Sequence, residues 1–366
     1  MLRHGRAGIN AFPAACPGAQ DIREEGPSKG RAVRANLTIR PGENPRMLHL
    51  DRAALRAALP WDALVDALAA MFREGCEAPL RHRHAIPGAP GAENTLLLMP
   101  AWRAGGHTGV KIVHVAPGNA ARGEPAVHAA YLLSDAASGA PLALMDGGEL
   151  TDRRTAAASL LAARHLARRD SARLLLLGSG KVARALAEGY AARFPLTDIA
   201  IWSPTARNAA RLAAALAAEG LPARAVDRPD PGAADIVSVA TLSVAPLVHG
   251  AAVAPGTHVD LVGAYRPDMR ESDGALLARA TLVVDTRAGA LAEAGDIVQA
   301  IAEGAITPAH VAADLAELCR GAHPGRREAS EVTVFKSVGW AGEDLAAAIL
   351  AYGHHAGTMG RSGGGA

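Results

Sequence analysis

Residues Arg173–Ala183 read RLLLLGSGKVA. Four consecutive leucines run into Gly178-Ser179-Gly180, and KVARALAEGYAAR follows as Lys181–Arg193. A short apolar run stopped by glycine reads as a buried parallel strand, and the alanine-rich segment beyond it as a helix. Between them stands G-x-G-x-x-A, with Gly178, Gly180 and Ala183 in the three fingerprint places. Gly178 permits the tight turn, Gly180 lets backbone approach a pyrophosphate, and small Ala183 lets helix and strand pack closely. The helix start then offers free N–H groups and a positive dipole end to an anion. With strand before and helix after, Gly178, Ser179, Gly180, Lys181, Val182 and Ala183 read as a dinucleotide cradle.

Working outward, the chain after Arg173 alternates strand and helix. Strands are expected at Arg173–Leu177, Ile199–Trp202, Arg224–Val226, Asp235–Ala240, His258–Val262 and Thr281–Val284, with helices in most gaps. That alternation gives an α/β, Rossmann-type doubly wound parallel sheet whose ligand crevice lies at the carboxyl ends of the strands. Thr241, just past one such strand, joins the cofactor-binding set. Helical pieces follow around Ile297–Ala302 and Ala309–Cys319, then a strand at Val332–Phe335 and a closing helix at Gly342–Tyr352.

Before Arg173 the pattern differs. Leu48–Leu50, Asn94–Met99, Gly109–Val115, Ala126–Leu133 and Ala140–Leu144 read as strands of a largely antiparallel sheet. A helix opens at Pro60-Trp61, and Thr151 is expected to cap a second, Asp152–Arg168. Residues 1–46 lack periodicity and the apolar core of a secretory signal, and read as a disordered extension. The organisation expected is therefore a substrate-binding and dimerisation domain (47–168 plus 326–353), an inserted NAD(P)-binding domain (169–325) and a disordered tail (354–366).

At 366 residues the chain is long enough for two domains with real cores. A net charge of +2 and 3% aromatics give no basic, stacking surface for nucleic acid. No apolar run approaches the roughly 20 residues of a membrane span. Cys16, Cys76 and Cys319 lie far apart, which disfavours a disulfide framework and a zinc knuckle and fits a reducing cytoplasm. His82 and His84 alternate along a strand, but no acid or cysteine accompanies them at ligand spacing, so no metal is expected.

An NAD site places an acid at the end of the second strand, on the ribose 2′-hydroxyl. Here that strand ends Trp202-Ser203-Pro204-Thr205, with Arg207 beyond and no carboxylate. Ser203 and Thr205 can donate to a 2′-phosphate and Arg207 can offset its charge. NADP(H) is preferred on this reading, with NAD(H) as the alternative.

Three cations stand out in the first part of the chain. Arg81 follows Pro79, Lys111 interrupts the apolar strand GVKIVHV, and Arg154 falls in the expected first turn of a helix, where a cation is electrostatically misplaced. A bound anion would offset these costs, so the three read as a clamp for a substrate carboxylate.

These motifs resemble those of the ornithine cyclodeaminase/mu-crystallin family. The resemblance runs from about Pro60 to Tyr352 through LLLMPAW (Leu96–Trp102), GVKIVHVAPGN (Gly109–Asn119), LTDRRTAAAS (Leu150–Ser159), LLLGSGKVA, VGAYRPDMRE (Val262–Glu271), AGDI (Ala294–Ile297) and VTVFKSVGWAGEDLAAA (Val332–Ala348). It implies a homodimer, and it maps the family's carboxylate-binding Arg, Lys and Arg onto Arg81, Lys111 and Arg154. Tyr265 stands where cyclodeaminases carry an Asp, and Leu97 where they carry a Glu. Ala126 replaces a common Thr or Ser. The forms LLLMPAW and GAYRPDMRE look more like the branch that reduces cyclic ketimines, Δ1-pyrroline-2-carboxylate and Δ1-piperideine-2-carboxylate, to proline and pipecolate. On that branch Lys111 and Arg154 are the catalytic pair, with Tyr265 beside the substrate. Lys111 is the first candidate acid, and His114 or Tyr265 the next. The alternatives are an ammonia-releasing cyclodeaminase with bound NAD, a reductive amination of a straight-chain oxo acid, and a non-catalytic NADPH-dependent binder like mu-crystallin.

Overall fold

The structure, a computed structural model, describes residues 47–87 and 93–362. The extension expected over 1–46 lies outside the described residues, as do Cys16 and 363–366 of the expected tail.

Six strands form the first sheet: β1 (Leu48–Leu50), β2 (His82–Ile86), β3 (Asn94–Trp102), β4 (His107–Val115), β5 (Val127–Asp135) and β6 (Pro141–Asp146). Their order is β1-β6-β5-β4-β3-β2, antiparallel except for the parallel pair β1–β6. Alternation along β4 and β5 buries Lys111, Val113, Tyr131 and Leu133 on one face.

The second sheet is parallel throughout, with eight strands: β7 (Arg173–Leu177), β8 (Asp198–Trp202), β9 (Ala223–Ala225), β10 (Ile236–Val239), β11 (His258–Leu261), β12 (Thr281–Val284), β13 (Val311–Asp314) and β14 (Thr333–Lys336). The order β13-β12-β14-β11-β10-β7-β8-β9 reverses direction between β7 and β10, which places the crevice there. Both faces are covered. Leu174 and Leu176 pack into one apolar cluster, Leu175 and Leu177 into the other.

The helices are α1 (Arg52–Ala58), α2 (Trp61–Glu74), α3 (Gly147–Leu166), α4 (Lys181–Arg193), α5 (Ala206–Ala218), α6 (Gly274–Arg279), α7 (Arg287–Glu293), α8 (Gly295–Ala302), α9 (Leu315–Cys319) and α10 (Ala341–Ser362). Helix α3 is the internal strut. Ala156, Ala157, Leu160 and Leu161 are buried along it, in the apolar cluster that also holds Phe72 of α2 and Leu345 of α10.

Four expectations need correction. The strand expected at Val332–Phe335 and assigned to the outer domain is β14, between β11 and β12 in the parallel sheet. Its four residues are all buried, as a central strand requires, and the assignment failed because strand order does not follow chain order. Within Ala309–Cys319, expected as helical, Val311–Asp314 pairs with β12 as an edge strand. Helix α3 starts at Gly147 rather than Asp152, because the Asp146 carboxylate accepts from Glu149 N at 2.8 Å. Thr151 instead donates back to Gly147 O at 2.6 Å. Finally, α10 continues through Ser362, so 354–362 are helical where a disordered tail was expected.

Gly178 closes β7 at φ +126°, and a Cβ there would lie 2.4 Å from Ala240 O. Gly178→Ala is therefore expected to cost more than about 2 kcal/mol through strain and displacement of β10. Urea denaturation of the two proteins measures it.

Candidate functional site

The glycine loop is built as the sequence suggests. Gly180 is the N-cap of α4 without a side-chain cap, so the first N–H groups of the helix await an acceptor. A Cβ added at Gly180 would meet nothing within 4 Å. Space therefore lies open in front of the helix dipole, and a pyrophosphate fits it. Ala183 is fully buried against the turn, and Val182 is half-buried. Ser179 Oγ donates to Ser203 Oγ at 3.1 Å, tying the loop to the end of β8. Thr205 caps α5 by position and leaves its hydroxyl unengaged there, while Arg207 is exposed and forms no ion pair among the described residues. Ser203, Thr205 and Arg207 thus bring two hydroxyls and a guanidinium, and no carboxylate, to that strand end.

Lys181 lines a charged cleft of about 640 Å³ with Asp152, Glu149, Arg52 and Arg56. Burial there pushes the Asp152 carboxyl up to about 6, Glu149 adding to the push and Lys181 opposing it. Thr241 sits past β10 and donates through N and Oγ1 to Glu271 Oε1 at 2.8 and 2.9 Å. The other oxygen of Glu271 takes Gly263 N at 2.7 Å, so one buried carboxylate braces the ends of β10 and β11.

Arg81 and Arg154 meet at the carboxyl end of β14, and Lys111 joins them through Asp344 of α10. Arg81 donates to Val338 O at 2.6 Å and Gly339 O at 3.2 Å. It also pairs with Glu293 at 3.0 Å. Arg154 lies against the same turn: a Cβ at Gly339 would fall 2.9 Å from its Nη1 and 3.0 Å from its Nη2. Its Nε donates to Asp344 Oδ1 at 3.0 Å and its Nη1 to Glu343 Oε2 at 2.6 Å. Lys111 Nζ reaches Asp344 at 2.9 and 2.8 Å. Below Arg81 lies a cavity of about 200 Å³ lined also by Met99, Thr286, Gly339 and Trp340, room for one small acid.

Burial governs the charges of this cluster. It lowers the Lys111 ammonium to about 8, with Arg154 adding to the effect against the pull of Asp344. It also penalises Asp344, but Arg154 and Lys111 outweigh it and hold that carboxyl below its usual range. Arg154, despite burial, is held firmly charged by Asp344 and Glu343.

Arg154 was singled out as a first-turn residue, yet α3 begins at Gly147, so it lies about two turns inside the helix. Its need for anions comes from burial rather than from the dipole. His114 is on the wrong side: strand alternation puts it on the face of β4 opposite Lys111, exposed, beside Leu96 and His128. It is withdrawn as an acid candidate. Tyr265 is half-buried against the second apolar cluster, and no hydrogen bond joins it to the cations. Leu97, in register with Val113, occupies the site's face of β3 without a charge.

Sequence reasoning passed over Glu343 and Asp344, both fully buried, and Asp285, which accepts from Val338 N and Gly339 N at 2.7 Å each. The available signal was a pair of adjacent acids in the apolar helix AGEDLAAAIL.

A doubly wound sheet with an open pyrophosphate cradle, joined to a cation cluster beside a small cavity, defines a Rossmann-type class that holds a dinucleotide near a small acid. Residues 54–358 match the model of the ornithine cyclodeaminase/mu-crystallin family, and the chain belongs to that family. A Δ1-pyrroline-2-carboxylate reductase of Paracoccus denitrificans is 41% identical over 290 residues, covering 75% of this chain and 90% of the relative. Ketimine reductase mu-crystallin of Rattus norvegicus is 36% identical over 256 residues, covering 70% and 79%. Among solved structures, Thermococcus litoralis Δ1-pyrroline-2-carboxylate reductase in complex with NADH and L-proline superposes with a TM-score of 0.80 at 33% identity, covering 85% of this chain and 98% of its own.

Asp344→Asn would leave Lys111 without its counter-ion and Arg154 with only Glu343. A loss of about 3–5 kcal/mol is expected, read from the urea midpoint at unchanged m-value.

Proposed function

We propose that this chain reduces cyclic ketimines, Δ1-pyrroline-2-carboxylate and Δ1-piperideine-2-carboxylate, to proline and pipecolate, with NADPH as the preferred reductant. The chain is a nicotinamide-dependent imine oxidoreductase. The observation that carries the finer reading is that Arg81 and Arg154 converge on the Val338–Gly339 turn after β14, with Lys111 joined to Arg154 through their shared Asp344. The bound dinucleotide would supply a hydride to the imine carbon. Arg154 would receive the α-carboxylate through Nη2, which forms no hydrogen bond among the described residues, and Arg81 and Lys111 would complete the positive field. Lys111 is a fitting proton holder near the ring nitrogen, since burial brings its ammonium down to about 8. If the imine binds already protonated, the side chains need only hold and orient it.

Ornithine cyclodeamination is disfavoured, because Leu97 and Tyr265 supply neither of the carboxylates that a diamino acid would need. Assembly as a homodimer fits the half-exposed apolar face of the first sheet, where Leu98, Val110, Ile112, Leu132 and Leu144 line up across strands. A reducing cytoplasm fits the free Cys76 and Cys319.

Purified enzyme mixed with Δ1-pyrroline-2-carboxylate and NADPH is expected to consume the cofactor, and with ornithine to release no ammonia. The reverse pair of results would reject the reading. Arg154→Lys keeps the charge but loses the fork, and is expected to raise KM for the imine at least about tenfold.

The 2′-phosphate reading is tested separately. Arg207→Ala is expected to raise KM for NADPH about tenfold while leaving KM for NADH within about twofold. Parallel steady-state titrations with both cofactors decide it.

A further inference from the structure

The acids around the cation cluster are not equivalent. Asp344 is shared by Lys111 and Arg154. Asp285 is satisfied by the N–H groups of Thr286, Val338 and Gly339 at 2.6 to 2.7 Å. Glu293 is part-exposed and paired with Arg81. Asp344 Oδ2 has no hydrogen-bond partner but lies 2.8 Å from Lys111 Nζ, whereas Glu343 combines full burial with an oxygen that has neither a hydrogen bond nor an ion pair among the described residues. Its Oε2 accepts from Arg154 Nη1 at 2.6 Å, and its buried Oε1 has no hydrogen-bond partner. An ionised carboxylate is poorly served by one donor, whereas a protonated one is tolerated.

The groups facing Glu343 sharpen the contrast. Arg154 comes from α3, Asp285 from the end of β12, and Asp344 from α10 itself. Behind Asp344 stand Lys111 of β4 and the unpartnered Tyr131 hydroxyl of β5, while Arg81 lies across the Val338–Gly339 turn. On the α2 side Phe72 packs against Trp340, three residues before Glu343. Burial pushes the Glu343 carboxyl up to about 7 against the pull of Arg154, with Asp285 and Asp344 adding to the push.

We propose that Glu343 is a proton-linked counter-ion of Arg154: only part-ionised at neutral pH while the guanidinium has no substrate, it becomes fully protonated when a substrate carboxylate shares that guanidinium. The inference rests on the reading that Arg154 receives the carboxylate. A second anion on one buried guanidinium sets two carboxylates against each other, and the weaker-solvated one yields by protonation. The proton comes from solvent when the acid docks and returns when the product leaves. Only the O–H bond on Glu343 forms and breaks. Glu343 is thus a positioning residue acting through Arg154.

The probe is pyrrole-2-carboxylate, an anion whose ring nitrogen is not basic, titrated calorimetrically into enzyme saturated with NADPH, in buffers of different ionisation heat. For the wild type, uptake of about half a proton is expected at about pH 7, with Kd weakening about four- to fivefold from about pH 6 to 7.5. Glu343→Gln is expected to bind with almost no uptake at about pH 7 and a Kd that changes less than about 1.5-fold over that range, the remainder coming from Lys111. Glu343→Asp should keep the uptake. Wild-type binding without uptake, or Glu343→Gln with undiminished uptake, overturns the inference. If Arg154→Lys binds the probe as tightly as wild type, the carboxylate reading falls and this inference with it. Binding that Arg154→Lys weakens, without proton uptake in the wild type, overturns this inference alone.

Discussion

One carboxylate, that of Asp344, is shared by two buried cations belonging to different parts of the fold. Lys111 is on the first sheet and Arg154 on the internal helix α3, and both donate to it within 3.0 Å. Ions this deep cost several kcal/mol each to desolvate, so the three groups are tolerable only together. The seam where β4, α3 and α10 meet is thereby fixed in register. The Val338–Gly339 turn, braced by Asp285 and clasped by Arg81, comes to the same place by hydrogen bonds between charged side chains and the backbone.

This arrangement explains why the site is assembled from residues far apart in sequence. The strands of the parallel sheet all end on one edge, and several of those ends contribute something different. After β7 comes the open anion cradle, after β10 Thr241, after β12 Asp285, and after β14 the turn that both arginines touch. Glu271 fastens two of these ends from below. The reactants therefore meet side chains supported by rigid strands, as a hydride transfer over a short distance requires.

The local features of the site were legible in the sequence. Gly178 and Gly180 stand out because they sit between an apolar run and a helix, and Lys111 because it breaks an apolar alternation. Arg154 was chosen for a helix position it does not hold. The start of α3 depends on Asp146, whose cap is an ordinary Asp unless its structural neighbours are known. Glu343 and Asp344 were not legible, since acids in a first helical turn usually answer the dipole in solvent. Their burial comes from long-range packing of α10 on α2 and α3. His114 is excluded by alternation alone, since it lies three residues from Lys111 on one strand and so faces the other side, a constraint already legible in the sequence.

The place of β14 has a consequence for how the molecule comes into being. Thr333–Lys336 fills the gap between β11 and β12, so the eight strands cannot pair in full before Lys336 leaves the ribosome. Until then the nascent chain carries two unzipped strand margins, His258–Leu261 and Thr281–Val284, with unpaired backbone groups of the kind that invites mispairing with other chains. The last strand of the sheet to be synthesised is thus the wedge that locks the nucleotide-binding half, and α10 follows at once to seal it.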